Sequence, residues 1–179
     1  MLLLFGDGLR GPDLLCIERA ATMRSHAGQP AFPGGAQDPG DADPVAAALR
    51  EAQEEVGLRA DSVEVFGTLP AIHLRPSGYV VTPVLAWWRT PHDVRPVDAA
   101  EVASVERIAI ADLVDPVNRC AVGSREGRSG PAFQVHGLLV WGFTAYLTDR
   151  VLEWGGWALP WRPEPMLDVP AAPAPLVTD

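Results

Sequence analysis

A chain of 179 residues, 47% of them hydrophobic, has one domain's length and is long enough to bury a full core. Its formal charge of −9 comes from 23 acidic and 14 basic residues, every basic one arginine, which excludes general affinity for nucleic acid or an anionic membrane surface. Cys16 and Cys120 form neither a disulfide framework nor a metal-ligand motif, so a reducing cytoplasm is the expected setting.

In chain order, Leu2–Phe5 and Leu14–Arg19 read as strands joined by a Gly/Asp-rich turn. Met1–Phe5 is apolar but lacks the basic lead and cleavage site of a signal peptide, and no apolar run reaches transmembrane length. Starting inside an apolar strand points to a short first strand or a late start. Arg24–Asp41 is a long loop. Within it, Phe32-Pro33-Gly34-Gly35 is a rigid turn followed by two glycines, which lets the backbone approach a ligand or metal closely. Asp43–Val56 is a helix. Ser62–Leu69 and Gly78–Trp88 read as strands, the latter with Val80, Thr82, Val84, Ala86 and Trp88 on one face. Pro91–Val97 is a turn-rich loop, Ser104–Ile110 a strand and Ala111–Leu113 a turn of helix. Gly123–Pro131 reads as a hairpin loop and Leu138–Trp154 as a second long helix. Residues 160–179, rich in proline and alanine, are set apart as a flexible tail to a domain of residues 1–159. There is no internal repeat.

The Asp43–Val56 helix carries the chemistry. Asp43 suits an N-cap, Pro44 the first helical position, and Gly57 the left-handed position past the C-terminus. Val45, Leu49, Ala52 and Val56 form an apolar stripe for packing on a sheet. Glu51, Glu54 and Glu55 fall within an arc of about one hundred degrees on the other side. Like charges at that spacing oppose helix formation unless a cation belongs among them. Oxygen donors of this kind suit Mg²⁺ or Mn²⁺ rather than zinc; a solvated acidic face is the alternative. Arg50, four residues before Glu54, pairs with it and fixes its direction.

Phe32-Pro33-Gly34-Gly35 followed by Arg50-Glu51-x-x-Glu54-Glu55-x-Gly57-Leu58 resembles the Nudix box, G-x5-E-x7-R-E-U-x-E-E-x-G-U with U aliphatic. Ala52 fills the first aliphatic position. Gly35 lies fifteen residues before Arg50, one more than the general box, and Ala42 stands where a glutamate is expected, with Asp41 the nearest acid. Upstream, Leu14-Leu15-Cys16-Ile17-Glu18-Arg19-Ala20, Arg24, Gly28 and the FPGG are similar in spacing to the signature preceding the box in coenzyme A diphosphatases, with Cys16 in place of the usual threonine.

The resemblance implies an α+β Nudix fold, a mixed β-sheet sandwiched between α-helices. It implies a hydrolase of nucleoside diphosphate derivatives that uses Mg²⁺ or Mn²⁺, held by Glu51, Glu54, Glu55 and the Gly35 backbone carbonyl. The substrate implied is coenzyme A or acyl-CoA, cleaved to 3′,5′-ADP and (acyl-)4′-phosphopantetheine. ADP-ribose, a dinucleotide or a nucleoside triphosphate is the alternative within the same chemistry, and a non-catalytic nucleotide sensor is the alternative outside it. The catalytic base is a box glutamate or Glu101, with Glu106 a weaker candidate inside a strand. Arg19, Arg24 and His26 are candidates for phosphate binding, since guanidinium forks match phosphate oxygens. His73 and His136 read as structural. The six tryptophans serve the core, a base-stacking platform or a subunit interface, so a homodimer stays open.

Overall fold

The computed structural model describes residues 1–23, 26–74, 78–123 and 129–170. Strand β1 (Leu2–Gly8) turns back through Gly8 and Gly11 into β2 (Gly11–Arg19), with Phe5 opposite Leu14. The short strand β3 (Pro30–Ala31) pairs antiparallel with the far end of β2, Ile17 facing Ala31. Helix α1 (Pro44–Val56) follows, then β4 (Val63–Thr68), the hairpin β5 (Ile72–Leu74) and β6 (Tyr79–Val81), and β7 (Val84–Trp88). β7 runs parallel to β1 and antiparallel to β4, while β8 (Val102–Ala109) covers the other edge of β2. The main sheet is therefore mixed.

After β8 come α2 (Ile110–Val114), β9 (Arg119–Gly123), β10 (Ser129–Val135), β11 (Leu138–Val140), α3 (Gly142–Trp154) and β12 (Met166–Asp168). The second sheet has the order β11-β10-β9-β12. Of the segment 160–179, residues 160–170 are described, and within them Met166–Asp168 runs parallel to β9, with Met166 opposite Ala121.

Alternation along the main sheet explains its two cores. Leu2, Leu4, Leu15 and Ile17 point to one face and pack on Ala48, Ala52 and Val56 of α1. Leu3, Phe5, Leu14 and Cys16 point to the other and pack on Ala145, Leu147 and Val151 of α3. Each such leucine or isoleucine contributes about 1.5–3 kcal/mol by leaving water. The sheet lies between helices, and the fold class is the α+β one expected. No described helix is long and apolar enough to cross a membrane.

Three sequence expectations need correction. The strand over Gly78–Trp88 is broken at Thr82–Pro83, where proline has no N–H to give a ladder. Beyond the break, Val84, Ala86 and Trp88 do share the buried face. The long helix over Leu138–Trp154 begins only at Gly142, because Leu138–Val140 pairs with β10 across a His136–Gly137 turn whose φ angles are 51° and 79°. Two positive φ values are what a tight hairpin demands. The loop expected over Gly123–Pro131 is narrower, since Gly123 ends β9 and Ser129–Pro131 open β10, with residues 124–128 outside the described set.

Candidate active site

Local chemistry fixes α1 at both ends. Asp43 Oδ1 accepts the N–H groups of Val45 and Ala46 at 2.8 Å each, and Pro44 opens the helix. Gly57 closes it at φ 72°, its N–H donating to the Gln53 carbonyl at 2.9 Å. The buried stripe is centred on Ala48, Ala52 and Val56 and takes in Glu55, while Val45 and Leu49 stay half-buried. The helix thus does not divide cleanly into an apolar face and an acidic one. Glu55 is only 7% exposed, on the core's margin.

That burial governs its chemistry. Desolvation pushes the Glu55 pKa up to about 7, and the neighbouring charges of Glu51 and Glu101 push the same way. A hydrogen bond from the Gly34 N–H to Glu55 Oε2, 2.9 Å, and the charge of Arg19 oppose the rise without cancelling it. The FPGG loop therefore lies against the helix carboxylates. A Cβ on Gly35 would strike the Glu51 carboxylate, so any other residue there displaces that side chain. A Cβ on Gly34 would strike the backbone of Met1, and Gly34 sits at φ 151°. The Met1 amino group is held below its usual pKa by burial, despite the attraction of Glu51 and Glu55. No sequence signal pointed to Met1; only the meeting of β1, β7 and the loop brings it there.

Arg50 ties the loop to the helix. Its Nε donates to both Asp41 oxygens at 3.1 and 3.3 Å, and its Nη2 to the Ala36 carbonyl and Glu51 Oε1 at 3.0 Å each. Its Nη1 donates to Glu54 Oε2 at 2.8 Å. Hydrogen bonding to Asp41 raises the Arg50 pKa and holds the Asp41 carboxyl below its ordinary range. Asp41 thus clamps the arginine from the end of the lengthened loop. An Arg50→Lys substitution keeps the charge but loses the planar fork. Turnover is expected to fall by roughly 10–100-fold with little change in melting temperature. Steady-state kinetics beside a thermal melt checks this, and unchanged turnover would count against the clamp.

Among the other expected residues, Glu101 lies beside the end of β2, its carbonyl accepting the Ala20 N–H at 2.8 Å, and its charge reaches Glu55. The charge of Arg19 reaches Glu55 likewise, and its buried Nε has no hydrogen-bond partner among the described residues. His26 stands apart from this group, exposed at φ 55°, with Nδ1 2.9 Å from Gln29 Oε1. Arg24 lies outside the described residues. Glu106 is on β8, 3.5 Å from His136.

The donor set suits a hard divalent cation. Glu51 and Glu55 offer oxygen donors, Glu55 lacks a full counter-charge, and Gly35 lets the loop backbone approach the Glu51 carboxylate closely. Among the described residues no three His, Cys, Asp or Glu side chains converge as they stand, and Glu54 is paired with Arg50.

The profile of the NUDIX domain matches residues 1–123. A protein of Cronobacter sakazakii, named an uncharacterized Nudix hydrolase NudL, is 50% identical over 105 residues, covering 58% of this chain and 53% of that protein. The chain thus spans about half the length of that relative. A protein of the same name from Photorhabdus laumondii is 35% identical over 147 residues, covering 79% of this chain and 76% of that one. Among solved structures, a Nudix hydrolase from M. smegmatis, RenU, matches with a TM-score of 0.61 at 23% identity, covering 87% of this chain and 83% of that one. At that identity the likeness is one of fold.

Proposed function

This chain belongs to the Nudix family, and on that premise we propose that it is a divalent-cation-dependent diphosphatase acting on coenzyme A or an acyl derivative. The products are 3′,5′-ADP and 4′-phosphopantetheine or its acyl form, and residues 1–159 carry the activity. The meeting of the FPGG loop with Glu51 and Glu55 is the observation that supports the chemistry most strongly. Coenzyme A is favoured over other diphosphates by Arg19, Gly28 and the lengthened loop at matching spacing.

Phosphoryl substitution asks mainly for positioning and charge stabilisation. A bound Mg²⁺ or Mn²⁺ supplies charge neutralisation at the diphosphate and activation of water. Glu51, Glu54 and Glu55, with the Gly35 backbone carbonyl, would hold that ion. The Arg19 guanidinium takes a phosphate oxygen. Glu101 receives the proton of the attacking water.

The test is a side-by-side comparison of kcat/KM for coenzyme A, ADP-ribose, a diadenosine polyphosphate and a nucleoside triphosphate, each with Mn²⁺. Coenzyme A is expected to lead the panel. A higher value for any of the other three would move the substrate while keeping the chemistry, and no hydrolysis of any of them would remove the chemistry.

A further inference from the structure

On the opposite side of the β2–β3 ribbon from Glu55 lies a cavity of about 340 Å³. That is within the range of roughly 300–1,000 Å³ typical of small-molecule sites. One wall is Glu18, Gln29 and Pro30, and the other is Leu139, Trp141 and Pro170. The register of β2 against β8 shifts between Glu18 and Arg19; Glu18 lines this cavity, while the charge of its neighbour Arg19 reaches Glu55. The backbones of Arg19, Gly28 and Gln29 pair through two hydrogen bonds, 3.0 and 3.1 Å. The cavity and the carboxylates therefore adjoin one ribbon, with the Arg19 guanidinium on the carboxylate side.

We infer that this cavity is the nucleobase subsite of the diphosphatase proposed above, that it takes a 6-aminopurine ring, and that Glu18 selects the amino group. The inference rests on that reading for the rest of the ligand. Trp141 offers a flat apolar face, and its position is set by packing with Cys120, Val122 and Ala132. The polar groups complement a 6-aminopurine edge. Glu18 is a pure acceptor when ionised; its Oε2 takes the Ser104 hydroxyl at 3.3 Å, and its Oε1 takes no hydrogen bond from a described residue. The Gln29 carbonyl oxygen is engaged by His26 Nδ1 at 2.9 Å, which with the proton on Nδ1 leaves the Gln29 amide N–H as a donor. An acceptor beside a donor matches an exocyclic amine beside a ring nitrogen. A 6-oxopurine would set its carbonyl against the Glu18 carboxylate. No described arginine lines the cavity, so a phosphate has no counter-charge there. A flexible amide-bearing arm offers N–H donors but no flat surface for Trp141. His26, expected at phosphate, becomes a positioning residue for Gln29.

Calorimetric titration of ADP and IDP into the whole protein without divalent cation tests this, in the wild type and in Glu18→Gln. ADP is expected to bind about tenfold or more tighter than IDP in the wild type, the order set by a hydrogen bond to a charged group against an unpaired carbonyl. In Glu18→Gln the ratio falls to near unity, because the amide can donate to the 6-oxo group. Gln29→Met, on the exposed loop, provides a second probe should Glu18→Gln fail to fold, and it lowers ADP affinity several-fold. Equal affinities in the wild type or an unchanged ratio in Glu18→Gln would overturn the assignment. ADP/IDP discrimination without hydrolysis of any diphosphate would remove the diphosphatase and leave the base subsite. Hydrolysis without discrimination would do the reverse.

Discussion

Replacing Glu55 by glutamine is expected to lower turnover by roughly a thousandfold while making the cation-free protein more stable above pH 7. The loss follows from removing a charged oxygen from the set proposed to hold the cation that neutralises the diphosphate. The gain follows from burial. The folded-state pKa of about 7 lies above the ordinary carboxylate value of 4.5, so between these values the folded protein holds a proton that the unfolded chain has released. Stability from that group is fully present below about pH 4.5 and is lost as pH rises through 7. The gap corresponds to roughly 3 kcal/mol. Glutamine has no charge to desolvate and still accepts the Gly34 N–H. Thermal melts of the cation-free wild type should fall in midpoint from pH 5 to pH 8, and those of Glu55→Gln should not share that component. Adding Mn²⁺ at pH 8 should raise the wild-type midpoint and leave the variant's largely unmoved. Parallel pH dependences in the two proteins would contradict the burial account.

The second large effect concerns the paired glycines, whose alanine variants should fail differently. At Gly35 the new methyl group displaces the Glu51 carboxylate, a side chain that can rotate away. Turnover is expected to fall by at least about a hundredfold, the order set by misplacing a reacting group by an ångström. The melting point should move by a few degrees or less. At Gly34 the methyl group meets the Met1 backbone, and φ of 151° disfavours any L side chain. Here stability should fall by at least the roughly 1–3 kcal/mol that such strain costs, because β1 must shift at its junction with the loop. Circular-dichroism melts and turnover measured on both variants separate the outcomes. An inactive Gly34→Ala protein of wild-type stability would contradict the close contact with Met1.

Local signals were legible in the sequence and long-range ones were not. Asp43, Pro44 and Gly57 define the helix because capping is a matter of neighbouring backbone groups. The strands β1 and β2 were visible as apolar runs. By contrast, Leu138–Val140 reads as helix until β10 pairs with it, and only the His136–Gly137 turn betrays the hairpin. The hairpin β5–β6 is too short and too exposed to leave a pattern. The same distinction holds at the site. Glu51, Glu54 and Arg50 are recognisable from spacing along one helix. The burial of Glu55, the nearness of Met1 and the Asp41 clamp depend on how the loop returns to the helix, which spacing does not specify. Glu18 lies in a strand visible as an apolar run, but the far wall of the cavity it faces comes from residues more than a hundred positions away.

Product analysis after incubating coenzyme A and Mn²⁺ with the wild type and with Glu55→Gln tests most directly whether the loop-and-helix face splits a diphosphate. The wild type is expected to release 3′,5′-ADP and 4′-phosphopantetheine in equal amounts, and the variant about a thousandth as much in the same time. Equal release by the two proteins, or no 3′,5′-ADP from the wild type, would contradict it.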